Sequence, residues 1–76
     1  KIVVSPNPNS GIFKIRLPEN ITNKDFEVSI INPLGLEIRR FNNETEIDLS
    51  DLQSGMYVIK VSSSEKTLMT RFIISR

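Results

Sequence analysis

The chain has 76 residues, with ten lysines or arginines and nine aspartates or glutamates, so its formal net charge is +1. This length suits one domain with one core, and the near-neutral charge gives no field to attract nucleic acid or an anionic membrane. The absence of cysteine and histidine excludes disulfides, thiolate metal sites, Ser/His/Asp catalysis and the commonest metal ligand. No apolar run approaches the ~20 residues of a membrane span. We expect a non-enzymatic binding or structural module without a cofactor.

Apolar and polar residues alternate with a period of two along the chain, and no window of helical length carries an apolar stripe. This pattern predicts an all-β chain. The predicted strands cover about residues 1–5, 12–17, 25–31, 36–41, 44–49, 56–62 and 67–75. Short strands at even spacing are typical of a sandwich of two antiparallel sheets. We therefore expect a single domain over residues 1–76.

The first connection reads SPNPNSG at residues 5–11. Pro6 and Pro8 each fix φ and push the preceding residue towards extended geometry. Asn7 to Ser10 fit a turn with Pro8 at its second position, and Gly11 supplies a positive φ. The segment predicts a rigid corner between the first two strands.

The faces of the later strands differ in polarity. The second and third strands have one apolar face each, formed by Phe13, Ile15, Leu17, Phe26, Val28 and Ile30. The sixth strand carries Tyr57, Ile59 and Val61 on one face and Met56 and Val58 on the other, which predicts a position in the middle of a sheet. The last strand has Leu68, Phe72 and Ile74 on one face and Met69 and Ile73 on the other. Because its second face is also apolar, we expect a neighbour to cover it, either within this domain or outside it.

Two further connections have recognisable turn sequences. NPLG at 32–35 matches a type I turn and predicts a hairpin between the third and fourth strands. In DLSDLQSG at 48–55, Ser50 and Gln53 match a capping box and Gly55 suits a left-handed stop, which predicts one helical turn. Leu49 and Leu52 are expected to hold that turn to the core. Tyr57 is placed for a tyrosine corner, with its hydroxyl bonded to the upstream backbone.

Glu44, Glu46 and Asp48 alternate along one strand, so their carboxylates are expected to share a face. Such a face could bind a hard cation such as calcium, but the spacing does not match a calcium loop. Cross-strand pairing with lysine or arginine is the simpler interpretation. We predict no metal site and no catalytic residue.

Four motifs in register resemble one family. They are SPNPNSGIFKI near the start, VSIINPLGLEI in the middle, IDLSDLQSGMYVIKV after it and KTLMTRFIISR at the end. Together they are similar to the type A C-terminal sorting domain of the type IX secretion system, over nearly the whole chain. The resemblance implies an immunoglobulin-like β-sandwich of about seven strands. Because the sequence begins at Lys1, we expect it to be excised from a longer secreted protein.

The resemblance also implies a function. In Gram-negative bacteria such a domain follows a covalently linked N-terminal passenger that folds in the periplasm. An outer-membrane translocon then recognises the domain, and a surface cysteine peptidase with sortase-like activity usually removes it, often joining the passenger to an anionic lipopolysaccharide. The implied locations are the periplasm in transit and then the cell surface or the extracellular space.

Residues of this chain that match the family's motifs are expected to form its recognition motif. They are Pro6, Asn7, Pro8, Gly11, Gly35, Leu49, Leu52, Gly55, Tyr57, Arg71, Ile73, Ile74 and Arg76. The chain departs from the family at Ser5, where many members have an aromatic residue. It also has Thr70 and Arg71 where the ending often contains paired lysines. We expect the last strand to dock with a translocon component, so that deletion of residues 71–76 blocks export.

Two other functions stay open at this point. A fibronectin-like or other immunoglobulin-like interaction module shares the strand count and the tyrosine corner, although the chain is short and lacks tryptophan. A carbohydrate-binding sandwich would need an exposed aromatic platform, for which Phe41 and Tyr57 are the candidates. The stiff corner at residues 5–11 either presents the first strand to the translocon or serves folding alone.

Overall fold

The strands follow the alternating pattern of the sequence. The structure, a computed structural model, describes residues 1–22 and 25–76. Within these ranges the strands are β1 (Val3–Ser5), β2 (Ile12–Arg16), β3 (Phe26–Ile31), β4 (Glu37–Asn42), β5 (Glu46–Asp48), β6 (Gly55–Ser63) and β7 (Thr67–Ile74). The all-β class is confirmed, and the predicted strand ends differ from the observed ones by at most two residues.

The strands form two sheets that pack as a sandwich. One sheet has the order β1-β2-β5 and the other the order β4-β3-β6-β7, and every pair is antiparallel. The chain crosses between the sheets after β2, β4 and β5, which gives the expected immunoglobulin-like arrangement. As predicted, β6 lies in the interior of its sheet, because β3 and β7 pair with its two sides.

The core lies between the two sheets and consists of the residues that alternate inwards. Its buried members include Phe13, Ile15, Leu17, Phe26, Val28, Ile30, Ile47, Leu49, Tyr57, Ile59, Val61, Phe72 and Ile74. The ring of Phe72 lies 4.8 Å from that of Phe13 and 5.9 Å from that of Tyr57, measured between centroids. Phe72 therefore joins β7 of one sheet to β2 of the other.

A short helix follows β2 and was not predicted. α1 (Glu19–Thr22) is a single turn, and the N–H of Ile21 donates to the carbonyl of Pro18 at 3.0 Å. The side chain of Ile21 is fully buried. One apolar residue in one turn leaves no helical periodicity in the sequence, so the pattern could not reveal it.

The hairpin between β3 and β4 is confirmed. The N–H of Gly35 donates to the carbonyl of Asn32 at 2.9 Å, and Gly35 has a φ of 86°. The side-chain oxygen of Asn32 also accepts from the N–H groups of Leu34 and Leu36, each at 3.0 Å. The turn is therefore held by contacts within itself.

No helix in the described part of the chain is long and apolar enough to cross a membrane.

Candidate functional site

Three segments that are distant in sequence meet at one end of the sandwich. We call them together the terminal junction and define it as residues 6–11, 49–57 and 73–76. Asn9 forms an isolated parallel bridge with Ile74, and the N–H of Leu49 donates to the carbonyl of Gly11 at 2.6 Å. Gly55 pairs with Ile74 in the ladder between β6 and β7. The junction thus brings together most of the predicted recognition residues.

Two asparagines hold the end of β7. The side-chain oxygen of Asn7 accepts from the N–H of Ile73 at 3.0 Å. The N–H of Asn9 donates to the carbonyl of Ile73 at 3.0 Å, and its carbonyl accepts from the N–H of Ser75 at 2.7 Å. Residues 7–9 therefore cover the outer edge of β7 where that strand ends.

The side chain of Asn9 organises the first connection from within. Asn9 is only 5% exposed, its amide nitrogen donates to the carbonyl of Pro6 at 2.9 Å, and its oxygen accepts from the N–H of Gly11 at 2.8 Å. The peptide bonds before Pro6 and Pro8 are both cis. The corner between β1 and β2 is confirmed, but these contacts replace the predicted turn with Pro8 at its second position.

Gly11 is the point of closest approach within the junction. It has a φ of 109°, as its predicted role requires. A Cβ atom at Gly11 would lie 2.8 Å from the carbonyl oxygen of Leu49 and 2.9 Å from Nη2 of Arg76. Any side chain here would therefore meet both of the other segments, which explains the glycine by space as well as by backbone conformation.

Arg76 connects the chain beyond β7 to the segment before β6. Its Nη2 donates to the carbonyl of Leu49 at 3.0 Å, and its Nη1 donates to the carbonyl of Ser50. Its backbone N–H donates to the hydroxyl oxygen of Ser54 at 3.1 Å. A guanidinium can satisfy two neighbouring carbonyls at once because its donors form a planar fork.

The predicted tyrosine corner is confirmed. The hydroxyl of Tyr57 donates to the carbonyl of Gln53 at 2.7 Å, and the ring is buried against Phe72. Gly55 lies beside this ring, and a Cβ atom there would be 3.7 Å from Cε1 of Tyr57, which is ordinary contact.

The segment at 48–55 forms one hydrogen-bonded turn and no helix, and the predicted capping box and left-handed Gly55 are wrong. The N–H of Leu52 donates to the carbonyl of Leu49 at 3.0 Å, which closes a single turn, and Gly55 has no positive φ because it begins β6. The side-chain oxygen of Asp48 accepts from the N–H of Ser50 at 2.9 Å. Hydrogen bonds from the hydroxyl and the N–H of Ser50 lower the pKa of Asp48. Leu49 is nevertheless fully buried and Leu52 packs against the core, as predicted.

Exposure divides the junction residues into two groups. Gly11, Leu49, Tyr57 and Ile74 are buried, whereas Pro6, Asn7, Pro8, Ile73 and Arg76 are exposed; Leu52 and Gly55 are intermediate. The buried group shapes the junction and the exposed group presents a surface. The junction holds no cluster of acids and bases, so what it offers chemically is shape and hydrogen bonding.

Gly35 and Arg71 lie outside the junction. Gly35 is in the β3–β4 hairpin, and no atom approaches within 4 Å of a Cβ built there. Arg71 is exposed in β7, opposite Val58 of β6. The structure therefore does not bring these two predicted residues together with the others.

The alternative sites on the sandwich are weak. Nζ of Lys14 lies 3.9 Å from Oε2 of Glu46, which is the cross-strand pair expected for the acidic strand. Among the described residues, no three carboxylates, histidines or cysteines form a group that could hold a metal. Tyr57 is buried and Phe41 packs against the core, so neither provides an exposed aromatic platform.

Asn9 and Ser54 were missed as site residues. Asn9 stands two residues before Gly11, a spacing at which an asparagine side chain can bond to the backbone ahead of it, so a signal for that contact was present. Its bonds to β7, and the bond of Ser54 to Arg76, join residues far apart in sequence and leave no local pattern.

A comparison with protein families gives a match over nearly the whole chain. A family model described as "Secretion system C-terminal sorting domain" matches residues 3–75. None of the curated proteins compared with the chain matches it. The matched range includes the first two segments of the junction and all of β7.

Proposed function

Because the chain belongs to the family of secretion system C-terminal sorting domains, we propose that it directs an N-terminal passenger from the periplasm through the type IX outer-membrane translocon. The family itself indicates a type IX sorting signal, a non-enzymatic module and export to the cell surface or extracellular space. The match gives no support to the fibronectin-like interaction module. The family match over residues 3–75 is the observation that carries the proposal.

We propose further that the translocon reads the exposed group of the junction, while the buried group holds that surface in shape. Support comes from the contacts of β7, whose end is fixed by Asn7 and Asn9 on one side and by Arg76 on the other. A surface fixed by several hydrogen bonds is preorganised, so a partner loses little conformational entropy on binding it. After export, a sortase-like cysteine peptidase removes the domain from the passenger.

Export of a reporter tests the main proposal. A fluorescent protein receives a periplasmic signal at its front and residues 1–76 at its back, in a host with a working type IX system. We expect fluorescence on the cell surface or in the medium, and its loss in a translocon-deficient strain. Reporter retained in the periplasm with a folded domain would contradict the proposal. Mass spectrometry of the exported reporter tests whether the sorting domain is removed. If it is, the exported product should lack residues 1–76.

A matched pair of variants separates recognition from folding. Deletion of residues 71–76 is unsuitable, because it removes the buried side chains of Phe72 and Ile74. Ile73 is 45% exposed in β7, and Ile12 is 58% exposed in β2 of the other sheet. We expect Ile73→Thr to reduce export several-fold and Ile12→Thr to leave it unchanged, with both domains folded. Equal export of the two variants would mean that the junction surface is not read.

A further inference from the structure

Among the described residues, the outer edge of β7 is covered only where Ile73 bonds to residues 7–9. Both backbone polar groups of Ile73 bond to residues 7–9, on the side away from β6. Alternate residues of a strand direct their N–H and C=O groups to the same side. Thr67, Met69 and Arg71 therefore direct theirs away from β6 as well. In the part of the chain that the structure describes, no strand or loop pairs with these three residues on that side.

The side chains beside this open edge are apolar and exposed. Met69 is 59% exposed and Ile73 45%, and Met56, which is 50% exposed, lies opposite Ile73 in the ladder. Between them Val58 is half-buried opposite Arg71. Open backbone groups next to an apolar outer face are the features of a strand that can accept another strand.

The charge at this edge has one sign. β6 and β7 contain Lys60 and Arg71 and no carboxylate. Lys60 lies opposite Met69 on the interior strand β6 and interacts with Glu37 of β4, so Arg71 is the cation of the edge strand itself. Arg71 forms no ion pair with any residue in the described ranges. An occupant of the edge would bring this guanidinium an ion-pair partner only if it carried a carboxylate.

A second copy of the chain is a poor occupant. Antiparallel pairing of two β7 strands about Arg71 would place the two guanidiniums opposite each other, and parallel pairing in register would place them side by side. Antiparallel pairing about Met69 would place each Arg71 opposite Thr67, so neither guanidinium would gain a carboxylate. Like charges in direct cross-strand contact are destabilising. Residues 7–9 also block pairing beyond Ile73. The edge therefore suits a strand of different sequence.

We propose that the edge of β7 from Thr67 to Arg71 accepts an extended segment of a partner protein by strand addition. The segment carries a carboxylate beside Arg71 and an apolar side chain beside Met69. This inference rests on the proposed function, since it states the chemistry by which a component of the secretion machinery would hold the sorting domain. The segment continues the edge pairing that residues 7–9 begin.

Nuclear magnetic resonance titration of the 76-residue chain tests this proposal. The probe is the peptide Ser-Thr-Val-Thr-Glu-Thr-Val-Thr-Ser, in which glutamate and the two valines share one face of a strand. Its first control has lysine in place of glutamate, and its second has proline in place of the two central threonines. We expect the amide signals of Thr67, Met69 and Arg71 to shift, with binding about fivefold tighter for the glutamate peptide than for the lysine peptide. The proline peptide should not bind.

Variants of the protein complete the design. Arg71→Glu should reverse the preference between the glutamate and lysine peptides. Arg16→Glu, which changes an exposed arginine of the other sheet, should leave it unchanged. The proposal is overturned by absence of binding, by shifts confined to other strands, by a preference that Arg71→Glu does not reverse, or by self-association through β7.

The reporter experiment distinguishes this inference from the proposed function. Export of the reporter together with no peptide binding would remove strand addition and leave the sorting function in place. Peptide binding with the expected preference together with no export would remove the sorting function, while the edge would remain a strand acceptor.

Discussion

The terminal junction contains most residues of the predicted recognition motif and the β3–β4 hairpin contains one, Gly35, but the two regions are built differently. In the junction, three segments contact one another, and Gly11 lies where the backbone of Leu49 and the guanidinium of Arg76 converge. In the hairpin, Asn32 supplies the contacts of a turn that bonds only to itself, and Leu34 at its tip is 83% exposed. A motif residue in the first region supports distant parts of the chain, and one in the second supports only its own turn.

The largest difference is expected between the glycines of the two regions. Gly11→Ala would meet Leu49 and Arg76 at under 3 Å and is expected to lower the free energy of unfolding by about 3 kcal/mol. Gly35→Ala adds only the cost of its positive φ in open space, about 1 kcal/mol. Urea denaturation of both variants checks the difference. Equal losses would mean that the junction relaxes to accept a methyl group.

Substitution of the asparagine that organises each region should show the same order, with a larger loss of unfolding free energy in the junction than in the hairpin. Asn9→Ala leaves the N–H of Gly11 without a partner at a buried position and the carbonyl of Pro6 without one at a partly buried position, for an expected loss of about 2 kcal/mol. Asn32→Ala exposes its former partners to water and should cost about 0.5 kcal/mol. Thermal unfolding by circular dichroism measures both. A larger loss of stability for Asn32→Ala would mean that Asn32 contributes more to the fold than Asn9 does.

A smaller effect is expected from two exposed arginines. Arg76→Ala removes bonds to two carbonyls and should cost about 1 kcal/mol, together with faster amide hydrogen exchange at Leu49. Arg40→Ala removes a surface ion pair with Glu37 at 2.9 Å and should cost at most about 0.5 kcal/mol. If exchange at Leu49 is the same in both variants, Arg76 does not hold the junction.

The smallest expected effect is the dependence of stability on pH. One carboxylate lies beside each region, Glu37 at the hairpin and Asp48 at the junction. The hydroxyl of Ser29, followed by Arg40, lowers the pKa of Glu37, and Ser50 lowers that of Asp48. A lowered pKa in the folded state means that the unfolded chain binds more protons, so the stabilisation is present above the ordinary value and is lost as pH falls. The ordinary values are 4.5 for Glu37 and 3.8 for Asp48, so the loss from Glu37 should begin first.

Unfolding measured from pH 6 down to pH 2 tests this order. Glu37→Gln should flatten the upper part of the decline and Asp48→Asn the lower part. Identical curves for the wild type and both variants would show that these hydrogen bonds do not affect stability.

Much of the fold was predictable because alternation reports which face of a strand is buried. The alternation of Phe13 and Ile15 with Lys14 indicated which face of β2 is buried. The two apolar faces of β6 indicated that this strand lies in the interior of its sheet. Tyr57 and Gly11 were predictable because each has a local geometric requirement. The segment at 48–55 was misassigned because Asp48, rather than the predicted capping pair, bonds to the N–H of Ser50. The contacts of Arg76 depend on three-dimensional proximity alone.

The bond between Asn7 and Ile73 spans 66 positions of the chain. Contacts of such separation raise the contact order and slow folding, because a long loop must close before they form. The side chain of Asn9 can bond to Pro6 and Gly11 within the corner, but the bonds of residues 7–9 to Ile73 and Ser75 need the far end of the chain. The corner at residues 7–9 is therefore completed only when β7 takes its place beside β6.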